Sequence, residues 1–150
     1  MDEDVAAIER AMVEIRRLQQ RRTLARVSRR RSGARVDPTL IAVADAVEQH
    51  GDEPCTVSSI AAALGVDQPR ASRLVARAVD DGLVARTADQ ADGRRVLLTL
   101  TRAGAEQLAR VHRFRRALFA EAMADWSPRQ VATFARLLTR FVDSYARLTD

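Results

Sequence analysis

Chemistry in a protein needs groups that exchange protons, attack, or hold a metal, and this chain has few of them. It carries two histidines, His50 and His112, and one cysteine, Cys55. The histidines lie far apart in sequence and have no cysteines or acids at ligand spacing, so neither a metal site nor a cofactor is expected. One cysteine also excludes an intrachain disulfide and a metal site built on cysteine clusters. There is no nucleophile–base pair, phosphate loop or carboxylate–metal motif, and an enzyme is not expected. Arginine is what the chain has in abundance. Its 25 basic residues, all arginine, outweigh 20 acidic ones to leave a net charge of +5. The planar arginine fork suits phosphates and base edges. Position decides whether that matters.

The most informative cluster runs from Gln68 to Ala78, with no acid between Asp67 and Asp80. At about 100° per residue, Ala71, Leu74, Val75 and Ala78 fall on one side of a helix. Pro69, Arg70, Ser72, Arg73, Ala76 and Arg77 fall on the other, with Gln68 at the exposed start. Such a helix fits a major groove. Small Ser72 and Ala76 allow close approach, arginine forks to guanine O6 and N7, and Gln68 pairs with adenine. The competing reading is an ordinary solvated face. A second cluster, Asp92-Gly93-Arg94-Arg95, lies in a polar stretch between two apolar runs. At a hairpin tip, Arg94 enters a narrow, electronegative minor groove, and Arg95 starts the second strand. Asp92 cannot favour DNA by charge, so its role is to hold a neighbouring arginine. The alternative here is a plain polar turn.

Periodicity and caps define the elements that position these clusters. A first helix is expected from about Asp4 to Arg30. In it Val5, Ile8, Met12 and Ile15 recur at steps of three and four, as in a coiled-coil seam, before Ser32-Gly33 breaks the pattern. Asp37-Pro38 opens a second helix that buries Leu40, Val43, Ala44 and Val47 and ends at Gly51. Thr56 caps a third, Val57 to Leu64, with Ile60, Ala61 and Leu64 inward. After a turn at Gly65, Asp67 caps a fourth from Gln68 to about Asp81, closed by Gly82. Two short helices joined by such a turn make a helix-turn-helix. Residues 83–86 and 95–100 read as the strands of a hairpin, or wing, whose tip is Thr87 to Arg94. Long helices from about Arg102 to Asp125 and from Pro128 to Leu148 follow, the last capped by Ser127.

The last helix repeats Val131, Phe134, Leu138, Phe141, Tyr145 and Leu148 along one stripe. That is long for one small domain and looks like a surface for a second chain. With 47% hydrophobic but only 4% aromatic residues, the core is aliphatic and thin, so help from a partner is plausible. The expected fold is mainly α with a small β-hairpin wing. A winged helix-turn-helix at 37–101 is flanked by dimerisation helices at 1–36 and 102–150, all in one compact protomer.

Residues 54–104 resemble the winged-helix core of the multiple-antibiotic-resistance regulator (MarR) family. The matching pieces are Thr56-Val57-Ser58-Ser59-Ile60-Ala61-Ala62-Ala63-Leu64-Gly65-Val66-Asp67, Ser72-Arg73-Leu74-Val75, Asp81-Gly82-Leu83-Val84 and Arg86. Asp92-Gly93-Arg94 occupies the family's Asp-x-Arg wing position, and Leu100-Thr101-Arg102-Ala103-Gly104 its Leu-Thr-x-x-Gly position. Val79 stands where the family usually has leucine. The resemblance implies a homodimer whose first, fifth and sixth helices intertwine, and fourth helices that enter successive major grooves of a pseudo-palindromic operator. It implies Arg94 in the flanking minor groove. It also implies release of DNA by a small, often phenolic ligand between the dimer helices and the winged core.

Some features carry two readings. The run Arg16 to Arg35 holds nine arginines and no acid; it touches phosphates or is the exposed end of a dimer helix, and the second is favoured. Cys55 is a redox switch, being near a helix N-terminus, or a buried thiol. The peroxide-sensing branch of the resembled family carries its cysteine in the first helix, where none stands here. His112 lines a ligand pocket or sits in an interface. Trp126 packs the corner between the last two helices. The acidic start Met1-Asp2-Glu3-Asp4 and the lack of a long apolar run point to the cytoplasm. A homodimeric, sequence-specific regulator, acting as a repressor on double-stranded DNA, is the leading reading. A low-specificity DNA-coating protein, a thiol-based regulator using Cys55 and an enzyme or interaction module are the alternatives. Gln68 and Ser72 favour base reading.

Overall fold

The computed structural model describes residues 1–20, 37–89 and 95–149. They fall into two compact units, Met1–Phe114 and Arg115–Asp150. In the first unit lie α1 (Asp2–Gln20), α2 (Pro38–Gln49), α3 (Val57–Leu64), α4 (Gln68–Asp80), β1 (Val84–Ala88) and β2 (Val96–Leu100). The boundary between units falls inside α5 (Arg102–Ala122), and α6 (Pro128–Thr149) belongs to the second. Mainly helical with one antiparallel hairpin, this is the expected winged-helix class.

Local chemistry sets each boundary. Helix α1 begins two residues before the expected Asp4: Asp2, Glu3 and Asp4 complement the positive end of the helix, and the Val5 N–H donates to the Met1 carbonyl at 3.0 Å. Its expected continuation to Arg30 lies outside the described residues. Asp37 starts α2 by accepting the Thr39 N–H at 2.9 Å, with Pro38 in the first turn where a missing N–H does no harm. Thr56 and Ser59 cap α3 reciprocally, each side chain accepting the other's backbone N–H. Gly65 then turns the chain at φ 61°, a left-handed conformation that costs glycine little. Asp67 starts α4 by accepting the Arg70 N–H at 2.7 Å.

The core of the first unit centres on α2, which buries Leu40, Ile41, Val43, Ala44, Ala46 and Val47. Ile60 of α3, Leu74, Val75 and Ala78 of α4, and Leu83, Val84 and Leu98 of the hairpin close around it. Ala61 and Leu64 are only half-buried. Removing a side chain such as Ile60 costs about 2–5 kcal/mol in cores of this kind.

In the hairpin, Val84 pairs with Leu100 and Ala88 with Val96. The first strand runs two residues past the expected Arg86. Thr87 and Ala88 find partners in Leu97 and Val96, and beyond them the Asp89 N–H donates to the Arg95 carbonyl at 3.0 Å. The polar tip is shorter than its composition implied.

The Leu-Thr-x-x-Gly segment has a physical reason. Thr101 donates its hydroxyl to the Gly82 carbonyl at 2.5 Å and accepts the Gly104 N–H at 2.9 Å, fastening the start of α5 to the turn after α4. Gly104 is buried, and a Cβ there would collide with the backbone carbonyl of Leu83. Only glycine permits that approach.

In the second unit, Ser127 caps α6 with Gln130 in a reciprocal pair, the Ser127 N–H donating to Gln130 Oε1 at 2.8 Å. Trp126 packs edge-on against Phe134, 5.3 Å between ring centres. Helix α5 ends at Ala122, before the expected Asp125, because the chain turns through Met123 to Trp126. Among the described residues no helix is long and apolar enough to cross a membrane.

Candidate nucleic-acid interface

Helix α4 has the two-sided character its sequence predicts. Ala71, Leu74, Val75 and Ala78 are buried against α2 and α3, while Gln68, Pro69, Arg70, Ser72, Arg73 and Arg77 are exposed. Ala76 is half-buried. Arg70, Arg73 and Arg77 follow one another at steps of three and four, so they form a single stripe along the helix. Anchoring on one side leaves the other free to face a ligand.

The exposed side chains are not equivalent. Arg70 and Arg73 pair with no carboxylate among the described residues, so their guanidinium forks are available. Arg77 donates to Asp37 Oδ2 at 2.9 Å, tying the end of α4 to the start of α2. The Thr39 backbone N–H, with help from Arg77, holds the Asp37 carboxyl below the usual carboxylate range. Gln68 donates through Nε2 to the Ser58 hydroxyl at 3.3 Å, which links the first turns of α3 and α4. Sequence reasoning missed both Asp37 and Ser58 as partners of this face. Asp37 was visible only as a helix cap, and Ser58 only as a motif position.

The hairpin adds Arg95, exposed and 3.7 Å from Asp89 Oδ2. The expected holder of a wing arginine was Asp92. Asp92 and Arg94 lie outside the described residues. Asp89 is a partner of Arg95 that the sequence reading did not name, and the signal was available: it stands opposite Arg95 one step beyond the Ala88–Val96 pair. Arg86 is exposed on β1.

Of the arginine run, Arg16 and Arg17 are exposed on α1, with Arg17 3.6 Å from Glu14; Arg21 to Arg35 lies outside the described residues. Cys55 is 3% exposed, and burial pushes its thiol up. That opposes the easier ionisation expected beside a helix N-terminus and fits the buried-thiol reading. His112 donates through Nε2 to Glu48 Oε2 at 2.9 Å, a partner 64 residues away that sequence spacing could not reveal.

The residues expected to meet a second chain are apolar and open. On α1, Val5, Ile8, Met12 and Ile15 are each at least 40% exposed. On α6, Phe134, Leu138, Phe141 and Tyr145 are all exposed, Phe141 stacking on Tyr145 at 5.9 Å, and Val131 is half-buried. Leu137, Val142 and Leu148 widen the same helix's apolar exposure.

Known proteins place this architecture. Residues 36–95 match the model of the MarR family. No curated protein sequence is significantly similar. A MarR family protein from Bacillus stearothermophilus has the same fold with a TM-score of 0.80 at 20% identity, over 97% of this chain and 98% of that one. S. aureus MepR, solved bound to ethidium bromide, gives 0.63 at 17% identity over 89% and 95%. Bordetella bronchiseptica BpsR, whose DNA binding is regulated by 6-hydroxynicotinic acid, gives 0.57 at 23% identity over 86% and 90%. At these identities the likeness establishes the fold. The MarR family model matches the winged-helix segment at residues 36–95, and the solved structures extend the likeness of fold over most of the rest of the chain.

Proposed function

We propose that the protein is a homodimeric, sequence-specific repressor that inserts one α4 from each chain into successive major grooves of a pseudo-palindromic operator. The observation that carries this reading is the face of α4. Gln68, Arg70, Ser72 and Arg73 are exposed together on an anchored helix, with no acid before Asp80. Arg70 and Arg73 are the groups suited to guanine, Gln68 to adenine, and Ser72 to close approach. Arg77, aligned by Asp37, and the wing residues Arg94 and Arg95 supply phosphate or minor-groove contacts. Asp92 orients Arg94. Residues 37–101 form the DNA-binding region, with 1–36 and 102–150 for dimerisation.

The exposed apolar faces of α1 and α6 support the dimer, because faces of this extent on monomers mark interaction surfaces. Release by a small aromatic ligand is proposed by analogy with MepR and BpsR, whose structures concern ethidium and 6-hydroxynicotinic acid. A regulator of this kind works in the cytoplasm, beside the genome, and needs no catalytic machinery.

The test is to let purified protein select fragments from genomic DNA and to compare their affinity with that of random duplex at physiological salt. A specific site is expected to bind at least about 1,000-fold more tightly. A ratio near one assigns the protein to DNA coating.

A further inference from the structure

Two turns of α2 meet α5 through a small apolar seam, Ile41 and Ala44 against Leu108. One helical turn beyond that seam the chemistry changes. Asp45 lies four residues after Ile41 and Glu48 seven after it, so both stay on the α2 face that looks toward α5. His112 lies four residues after Leu108 and stays on the α5 face that looks back. The packing therefore delivers two carboxylates and an imidazole to one point. His112 Nε2 is 2.9 Å from Glu48 Oε2 and 3.8 Å from Asp45 Oδ1. One donor atom from each residue lies within 4.8 Å of the others. Asp45 and His112 are half-buried, and Glu48 is exposed at the mouth.

We propose that Asp45, Glu48 and His112 form a binding site for a divalent transition-metal ion of the Zn²⁺ class. Three ligands around a tetrahedral ion, each about 2.1 Å from it, sit roughly 3.4 Å apart. The two His112 separations bracket that value and all three donors lie within 4.8 Å of one another, so side-chain rotations can close them on an ion. The donor set fits in charge as well: two carboxylates balance a divalent cation, and the imidazole supplies the nitrogen that a hard ion such as Mg²⁺ does not seek. Three protein ligands leave the fourth position open to water. The ion would pin α5 to α2, replacing the His112–Glu48 hydrogen bond with metal–ligand bonds beside the apolar seam. Residues 45, 48 and 112 have no ligand spacing in sequence, which is why the motif is invisible there.

The experiment is a competition between full-length protein and a chromophoric chelator for Zn²⁺, with Mg²⁺ as control ion. Circular dichroism checks the fold of each variant. One Zn²⁺ per chain is expected to bind, with affinity falling at least tenfold in His112→Ala and in Glu48→Gln. Glu48 is exposed, so that variant keeps the test open if His112→Ala folds poorly. His50→Ala is expected to bind as the parent does, because His50 is engaged elsewhere, with the Ala46 carbonyl at 2.9 Å. Co²⁺ in place of Zn²⁺ is expected to give visible absorption bands that the His112 variant lacks. Equal Zn²⁺ binding by all four chains, or none by the parent, overturns the proposal and leaves the cluster an ion pair only.

Discussion

The winged-helix core and the last helix treat their apolar side chains in opposite ways. In the core, Leu40, Val43, Ile60, Val75 and Val84 are all but completely removed from water within a single chain. On α6, Phe134, Leu138, Phe141 and Tyr145 remain between 38% and 56% exposed. Both stripes are regular, and both were written by the same three-four spacing. The difference lies in what each stripe has to pack against. One region is complete alone, and the other keeps its apolar stripe open, which is the stripe that the proposed dimer would cover.

Breaking the unfinished side should have the largest effect. Leu138→Glu combined with Phe141→Glu places two charges in the proposed seam, where central interface residues are each worth about 2 kcal/mol or more. The dimer dissociation constant is expected to rise about a thousandfold, and tight operator binding to disappear, while the core stays folded. Light scattering checks the mass and circular dichroism the fold; an unchanged dimer means the seam is elsewhere.

The next largest effect concerns the α4 face on which the proposed function rests. Arg73→Ala and Arg70→Ala are expected to weaken operator binding by about 1–3 kcal/mol each, or roughly 5- to 150-fold, while random DNA loses much less. In its proposed minor-groove role, Arg94→Ala should cost less and leave the fold intact. Titration of labelled operator and random duplex by fluorescence anisotropy measures all three.

The complete side can be attacked separately. Gly104→Ala forces a methyl group against the Leu83 carbonyl, and overpacking of this sort costs about 1–3 kcal/mol. Thermal unfolding should move to lower temperature, with light scattering still reporting a dimer. A fully stable variant would mean that α5 yields there more easily than its packing implies.

Much of this fold was legible because its signals are local. Asp37, Thr56, Asp67 and Ser127 act as caps where the sequence placed them, and Gly65 and Gly82 turn the chain at positive φ. The α4 faces followed from periodicity alone. What escaped was pairing between residues distant in the chain. Arg77 with Asp37, Gln68 with Ser58, and His112 with Glu48 depend on how helices pack, and no spacing rule reports that. The strand that outran Arg86 escaped for a related reason. Thr87 and Ala88 look like loop residues until their partners Leu97 and Val96 are known.

The smallest effect tests one of those distant pairs. Asp37→Asn keeps a helix-capping side chain but removes the charge facing Arg77, and exposed pairs of this type are worth about 0.2–1 kcal/mol. Because the folded state holds the Asp37 carboxyl below its ordinary range, the stabilisation is present above that range and fades as pH falls through the lowered value. The parent and variant should therefore differ in urea stability at neutral pH and converge in strong acid. A gap that persists in acid would assign the effect to the cap instead.

The most direct test of the central claim is a hydroxyl-radical footprint of the protein on a fragment it has selected. The account predicts two protected patches related by a dyad and centred about 10–10.5 base pairs apart, or a multiple of that, both lost with Arg70→Ala and Arg73→Ala combined. Even protection along the fragment, insensitive to those two arginines, would contradict it.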